Sequence, residues 1–127
     1  MKKIHYTDSY LLSPYHPVTV HVIGAGGTGS QVATNLARMD MALRALGHPG
    51  LHVTVFDPDT VSEANIVRQL FSASEIGLNK AVVLVTRINR FFGDTWTAES
   101  RRYPVRKAGK DNKGCWANII ITCTDNI

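Results

Sequence analysis

The chain has 127 residues, 44% of them apolar, with 14 basic and 10 acidic side chains. That length suits one domain, the composition is too apolar for a disordered chain, and no apolar run approaches the roughly 20 residues of a membrane helix. The net charge of +4 is local: residues 1–100 balance at eight basic and eight acidic side chains, while residues 101–113 set Arg101, Arg102, Arg106, Lys107, Lys110 and Lys113 against Asp111 alone.

Residues 1–17 include Pro14 and Pro17 and show no hydrophobic period, which predicts an irregular N-terminal arm. No apolar stretch follows Lys2 and Lys3, so a secretory signal is not expected and the cytoplasm is the expected compartment. Val18–Ile23 is a β-branched apolar run ended by Gly24 and reads as a buried strand. His21 inside it is expected to be a satisfied core or sheet-face histidine, not a ligand or catalyst. From Gly29 onward Val32, Leu36, Met39, Leu43 and Leu46 recur at helical spacing, predicting a helix that buries this stripe and stops at Gly47, Pro49 and Gly50. Leu51–Phe56 is a second strand. Residues 60–76 predict irregular chain with a single turn around Ile66–Leu70.

Asn79 can open a second helix, with Ala81, Leu84, Val85, Ile88 and Phe92 on one face and Gly93 and Asp94 at its end. Thr95–Tyr103 reads as a third, more exposed strand. A basic loop follows to Gly114, and Trp116–Cys123 is a last, strongly apolar strand. Cys115 and Cys123 lack the paired spacing of a zinc site and predict two reduced thiols. Strand, helix, strand, helix, strand, strand predicts an α/β fold with right-handed crossovers and a mainly parallel sheet flanked by helices. In a doubly wound sheet a strand such as the last one is followed by further elements. Residues 18–127 are therefore expected to be the N-terminal half of a larger domain, truncated after its fourth strand, with the basic loop 101–113 inserted before that strand.

Gly24-Ala25-Gly26-Gly27-Thr28-Gly29 follows the first strand and opens the first helix, a G-x-G-x-x-G in its proper context. Gly24 permits the tight turn, Gly26 lets backbone approach a phosphate, and Gly29 allows close helix–strand packing. The helix N-terminus supplies amide donors and the positive end of its dipole. Asp57 sits at the end of the second strand, where an acid meets ribose hydroxyls. The loop alone leaves a dinucleotide and ATP both open. Asn65, Arg68, Gln69 and Lys80 come next, and a triphosphate under attack calls for such cations more than a dinucleotide does. The bland alternative, solvated surface charge, is weaker for Lys80 because the helix dipole disfavours a cation at a helix start.

The run from Asp57 to Gln69 (DPDTVSEANIVRQ), then Ile76-Gly77-x-x-Lys80, then Ile119 to Asn126 (IIITCTDN), resembles the ThiF/MoeB/ubiquitin-activating (E1-like) adenylating family. With the glycine loop, four motifs occur in order over residues 18–127. The wording is closest to ThiF-like proteins encoded with PRTRC gene clusters. The resemblance implies a Rossmann-like fold, ATP and Mg²⁺ as cofactors, and activation of a C-terminal carboxylate of a ubiquitin-like or sulfur-carrier protein as an acyl-adenylate. It places Gly24, Gly26, Gly27 and Gly29 around the phosphates and Asp57, with Asp59 beside it, at the ribose. Asn65, Arg68 and Lys80 fall on the phosphates, Gln69 supports their loop, and Asp125 holds Mg²⁺ near the α-phosphate. Arg68, Lys80 and Asp125 would carry the chemistry.

Two departures stand out. Ala64 replaces the usual serine before Asn65, and residues 1–37 contain no arginine of the kind bacterial members offer to a partner subunit in a homodimer. Two other readings remain: an NAD-binding Rossmann domain, which Arg68, Lys80 and Asp125 argue against, and a nucleotide-binding remnant or partner-binding module without catalysis. The basic loop, with Tyr103 inside it and Trp116 after it, reads first as a solvated segment. Attraction of an acidic protein and an aromatic-interleaved nucleic-acid patch are the lesser readings.

Overall fold

Val20, Val22, Val53 and Val55 alternate along two neighbouring strands and are all 1% exposed or less. Each such burial contributes about 1.5–3 kcal/mol relative to exposure, and together they seed the sheet. In the computed structural model, which describes residues 2–104 and 116–124, β1 (Val18–Ile23) and β2 (Leu51–Phe56) run parallel, with Val18 opposite Leu51 and Ile23 opposite Phe56. β3 (Thr97–Glu99) joins β2, and β4 (Ile119–Thr122) joins β1, giving the order β3-β2-β1-β4 with every pairing parallel. The chain is thus a Rossmann-like α/β fold. Helix α2 (Gly27–Ala45) packs on β1 and β2, and α3 (Lys80–Phe92) packs on β2, β3 and α2, so both crossovers cover one face.

On the other face His21, Phe56 and Tyr103 form an edge-to-face aromatic group with ring centres 4.8–5.6 Å apart. His21 is buried, and its Nδ1 lies 3.0 Å from the Tyr103 hydroxyl as a hydrogen-bond partner. Burial, and secondarily the charge of His52, hold its pKa below the ordinary histidine value. It is the satisfied sheet histidine that the sequence predicts.

The structure corrects several element-level expectations. Helix α2 does not bury the predicted stripe: Gly29, Ser30, Ala33, Ala37 and Asp40 face inward, while Met39 is 54% and Leu46 85% exposed. Small residues bring the helix backbone close to the sheet, which leaves the larger Val32 and Leu36 packing only at the margin of the core. The third strand is three residues long instead of nine. Trp96 is diverted from the ladder because its N–H donates to Asn89 Oδ1 at 2.9 Å, its carbonyl accepts from Asn89 Nδ2 at 3.0 Å, and its indole N–H donates to the Leu51 carbonyl at 3.2 Å. The last strand starts at Ile119, with Trp116 72% exposed. Among the described strands β4 stands at the sheet edge, where Ile120 is 52% exposed.

The arm is not wholly irregular, since α1 (Ser9–Leu12) forms one turn. The Gly50 N–H donates to His48 Nδ1 at 2.9 Å, so the ring's other nitrogen carries the proton and donates to the Leu11 carbonyl at 2.9 Å. This ties the arm to the start of β2. Residues 60–76 hold two 3₁₀ turns, Glu63–Asn65 and Ala73–Glu75, over a small cluster of Val61, Phe71 and Val83. Cys123 is a free, half-buried thiol whose pKa burial pushes up, while Cys115 and most of the basic loop lie outside the described residues. No helix among the described residues is long and apolar enough to cross a membrane.

Candidate functional site

The C-terminal ends of parallel strands are where such sheets bind ligands, and here that edge is built around two glycines. Gly24 leaves β1 with φ +101°, a left-handed conformation, and a Cβ on it would stand 2.9 Å from Thr124 Cγ2 and 3.0 Å from the Cys123 carbonyl. A Cβ on Gly29 would collide with the Gly24 carbonyl oxygen. The strand therefore turns directly into α2, and Gly26 caps that 19-residue helix with its first amides at the sheet edge.

Asp57 follows β2 and is 6% exposed. Its Oδ2 accepts from the Ala25 N–H at 2.7 Å and its Oδ1 from the Asp59 N–H at 2.8 Å. Two backbone donors thus hold the carboxylate against the glycine loop, with lone pairs left for hydroxyl donors. Asp59 itself is exposed and its carbonyl accepts from the Lys80 N–H at 3.0 Å. Gln69 lies along the loop from the other side: a Cβ on Gly26 would be 3.4 Å from Gln69 Nε2, and one on Gly27 would be 3.6 Å from the Arg68 carbonyl. Gln69 Oε1 is buried without a hydrogen-bond partner among the described residues.

Asn65 is 8% exposed, and its Oδ1 accepts from both the N–H and the hydroxyl of Ser62 at 2.9 Å. Its carbonyl accepts from the Gln69 N–H at 2.8 Å. That side chain orders the loop first, and only its Nδ2 has no hydrogen bond to the described residues. Arg68 is exposed, with one long contact from Nε to the Ala64 carbonyl at 3.4 Å and no acidic partner among the described residues. Lys80 opens α3 at 8% exposure and likewise pairs with no carboxylate among them.

Every predicted site residue within the described chain therefore belongs to one connected edge. Asp125, the expected Mg²⁺ ligand, lies outside the described residues, and among those no three metal-ligating side chains gather. Two braces escaped sequence reasoning. Asn79, read from the sequence only as a helix start, also bonds the loop after β2. Arg87 reaches back from α3 to the Leu70 carbonyl at 2.6 Å and to Glu75 at 2.8 Å. Burial pushes the Glu75 carboxyl up, but the Ser72 N–H and the Arg87 guanidinium outweigh it and leave the pKa below the ordinary value. Neither role has a linear signal, because each partner lies in another element.

The ThiF family profile matches residues 15–127. The ATP-dependent ubiquitin transferase-like protein Cap2 of Enterobacter hormaechei subsp. hoffmannii (strain UCI 50) is 29% identical over 106 residues, covering 83% of this chain and 16% of Cap2. Among solved structures, TcdA (CsdL) is 29% identical with a TM-score of 0.56, covering 67% of this chain and 31% of TcdA. Escherichia coli MccB with AMPCPP and MccA superposes at a TM-score of 0.63 over 87% of this chain and 30% of MccB; at 21% identity it shows the fold alone. The chain thus spans under a third of the length of each of these proteins. With the family profile covering nearly the whole chain on top of this sheet-edge geometry, the protein belongs to the ThiF family.

Proposed function

We propose that this chain is the ATP-binding part of an E1-like adenylating unit. In this reading the unit activates the C-terminal carboxylate of a ubiquitin-like or sulfur-carrier protein. The observation that carries the reading is Lys80, a nearly buried cation without a carboxylate partner among the described residues, in the same hydrogen-bonded edge as the fixed carboxylate of Asp57. A dinucleotide pyrophosphate is held by helix-terminal amides and needs no such cation. A triphosphate that loses pyrophosphate builds charge on its leaving group, which cations stabilise. The ATP dependence in the name of Cap2 supports the same ligand class.

The reaction suits a site without a strong general base. The incoming carboxylate is already ionised; its oxygen bonds to the α-phosphorus, the bond from that phosphorus to the bridging oxygen breaks, and the electron pair leaves with pyrophosphate. Asp57 would orient the ribose, the glycine-loop amides and the Asn65 amide would hold phosphate oxygens, and Arg68 and Lys80 would neutralise the developing charge. Asp125 is the residue assigned to Mg²⁺, and a homodimer is the proposed assembly.

Titration calorimetry with ATP and MgCl₂, and separately with NADH, tests this. ATP should bind more tightly than NADH, and Lys80→Ala should weaken ATP by about tenfold or more, the scale of a charge-assisted contact. Tighter NADH binding would overturn the reading. Pyrophosphate exchange with a carrier C-terminal peptide separates catalysis from nucleotide binding alone, and exchange that survives Arg68→Ala would remove that residue from its role.

A further inference from the structure

Asn79 makes two kinds of hydrogen bond that belong to different tasks. Its Oδ1 accepts from the Val82 N–H at 3.1 Å, capping α3. Its Nδ2 donates to the carbonyl of Asp57 at 2.8 Å and to that of Asp59 at 3.2 Å. Capping uses only the acceptor, and serine, aspartate or threonine would serve it equally. The donor half does something capping does not require: it fastens the peptide of Asp57 to the first turn of the helix that carries Lys80. The backbone repeats the link, through the bridge between Thr60 and Asn79 and the bond from the Lys80 N–H to the Asp59 carbonyl.

We infer that Asn79 is a positioning residue for the nucleotide site, acting through the Asp57 carbonyl so that the Asp57 carboxylate and Lys80 move as one unit. This rests on the nucleotide-binding reading above and extends it to a residue that touches no ligand. Among the described residues, two backbone donors hold the Asp57 carboxylate in place, Ala25 N–H in front and Asp59 N–H behind. Rotation of the 57–59 peptides would break both bonds, and the Asn79 amide is the side chain that pins those peptides. Ligand groups that meet Asp57 and Lys80 together then find both already spaced, which lowers the ordering cost on binding.

Asn79→Ser separates the two tasks, since serine keeps the cap and is too short to donate to both carbonyls. Amide hydrogen exchange on the full chain is read at Ala25, Asp59 and Val82. Exchange at Ala25 and Asp59 should quicken about tenfold, on the scale of one lost local hydrogen bond, while Val82 stays protected. ATP affinity, measured with MgCl₂, should fall by a similar factor, and the fall should vanish when Asn79→Ser is added to Asp57→Ala, because the effect passes through that carboxylate. Unchanged exchange at Ala25 and Asp59 overturns the inference, as does an affinity loss that persists undiminished in the Asp57→Ala background. If the parent chain binds no ATP but the exchange pattern appears, the nucleotide reading fails while the clamp on Asp57 stands.

Discussion

At the C-terminal end of the strands, among the described residues, Asp57 is held by backbone N–H groups and neither Arg68 nor Lys80 meets a carboxylate. At the N-terminal end, Arg44 Nη2 lies 2.7 Å from both Asp40 Oδ2 and Asp94 Oδ1, and Asp40 Oδ1 accepts from the Leu51 N–H at 2.7 Å. Both of those carboxylates are 3% exposed. Charge at this end is consumed by the fold, locking α2 to the start of β2 and to the turn after α3. Charge at the other end is held by backbone and left open. The contrast separates structural from functional ionisable groups by their partners, where burial alone would class Asp40 and Asp57 together.

Gly29→Ala should have the largest effect, since the added methyl meets the backbone of Gly24 and neither segment can yield: a loss of about 3 kcal/mol or more in urea unfolding. Stability near that of the parent would mean that the glycine turn is looser than described. Arg44→Met comes next. It leaves two buried carboxylates facing each other, so about 2–3 kcal/mol should be lost at pH 7, discounted because the arginine is 46% exposed. Part of the loss should return at pH 5, where the pair can hold a proton.

The parent chain carries its own pH signature. Burial first, then the hydrogen bond and charge of Asp40, push the Asp94 pKa up to about 6, with Arg44 opposing. The folded value exceeds the unfolded one of about 3.9, so the native state takes up the proton more readily. The contribution of Asp94 is full below about pH 4 and is lost as pH rises through about 6, a span of roughly 3 kcal/mol. Asp94→Asn should remove that component from the stability curve; an unchanged difference between pH 4 and pH 7 would sink the assignment.

The smallest effect on stability is expected at the open end. Lys80→Met removes a cation that pairs with no carboxylate among the described residues, so unfolding free energy should stay within about 1 kcal/mol of the parent, or rise. The same substitution should nonetheless reduce ATP affinity. A large stability loss from Lys80→Met would show that the two ends do not differ in the way their partners indicate.

Much of this was legible in the linear order. Val18–Ile23 and Leu51–Phe56 appear as strands with the predicted bounds because β-branched runs ended by Gly24 and Asp57 leave no competing conformation. The glycine spacing, and Arg68, Gln69 and Lys80 at their intervals after Asp57, led to the sheet edge where all of them lie. Periodicity failed on α2 because it ranks residues by hydrophobicity, whereas the sheet selects for closeness. Ala33 and Ala37 are fully buried because they are small, and Met39 is exposed although it is apolar.

What the sequence determined by itself was the set of local conformations and the residue types available at one end of each strand, since turn chemistry and strand propensity act within a few residues. Which charges face a partner and which remain open was settled only by the tertiary structure. Asp40 reaches Asp94 across 54 positions of chain, and Asn79 reaches Asp57 across 22. Those encounters exist because parallel crossovers return each helix to the same sheet edges, and no local property of either residue encodes them.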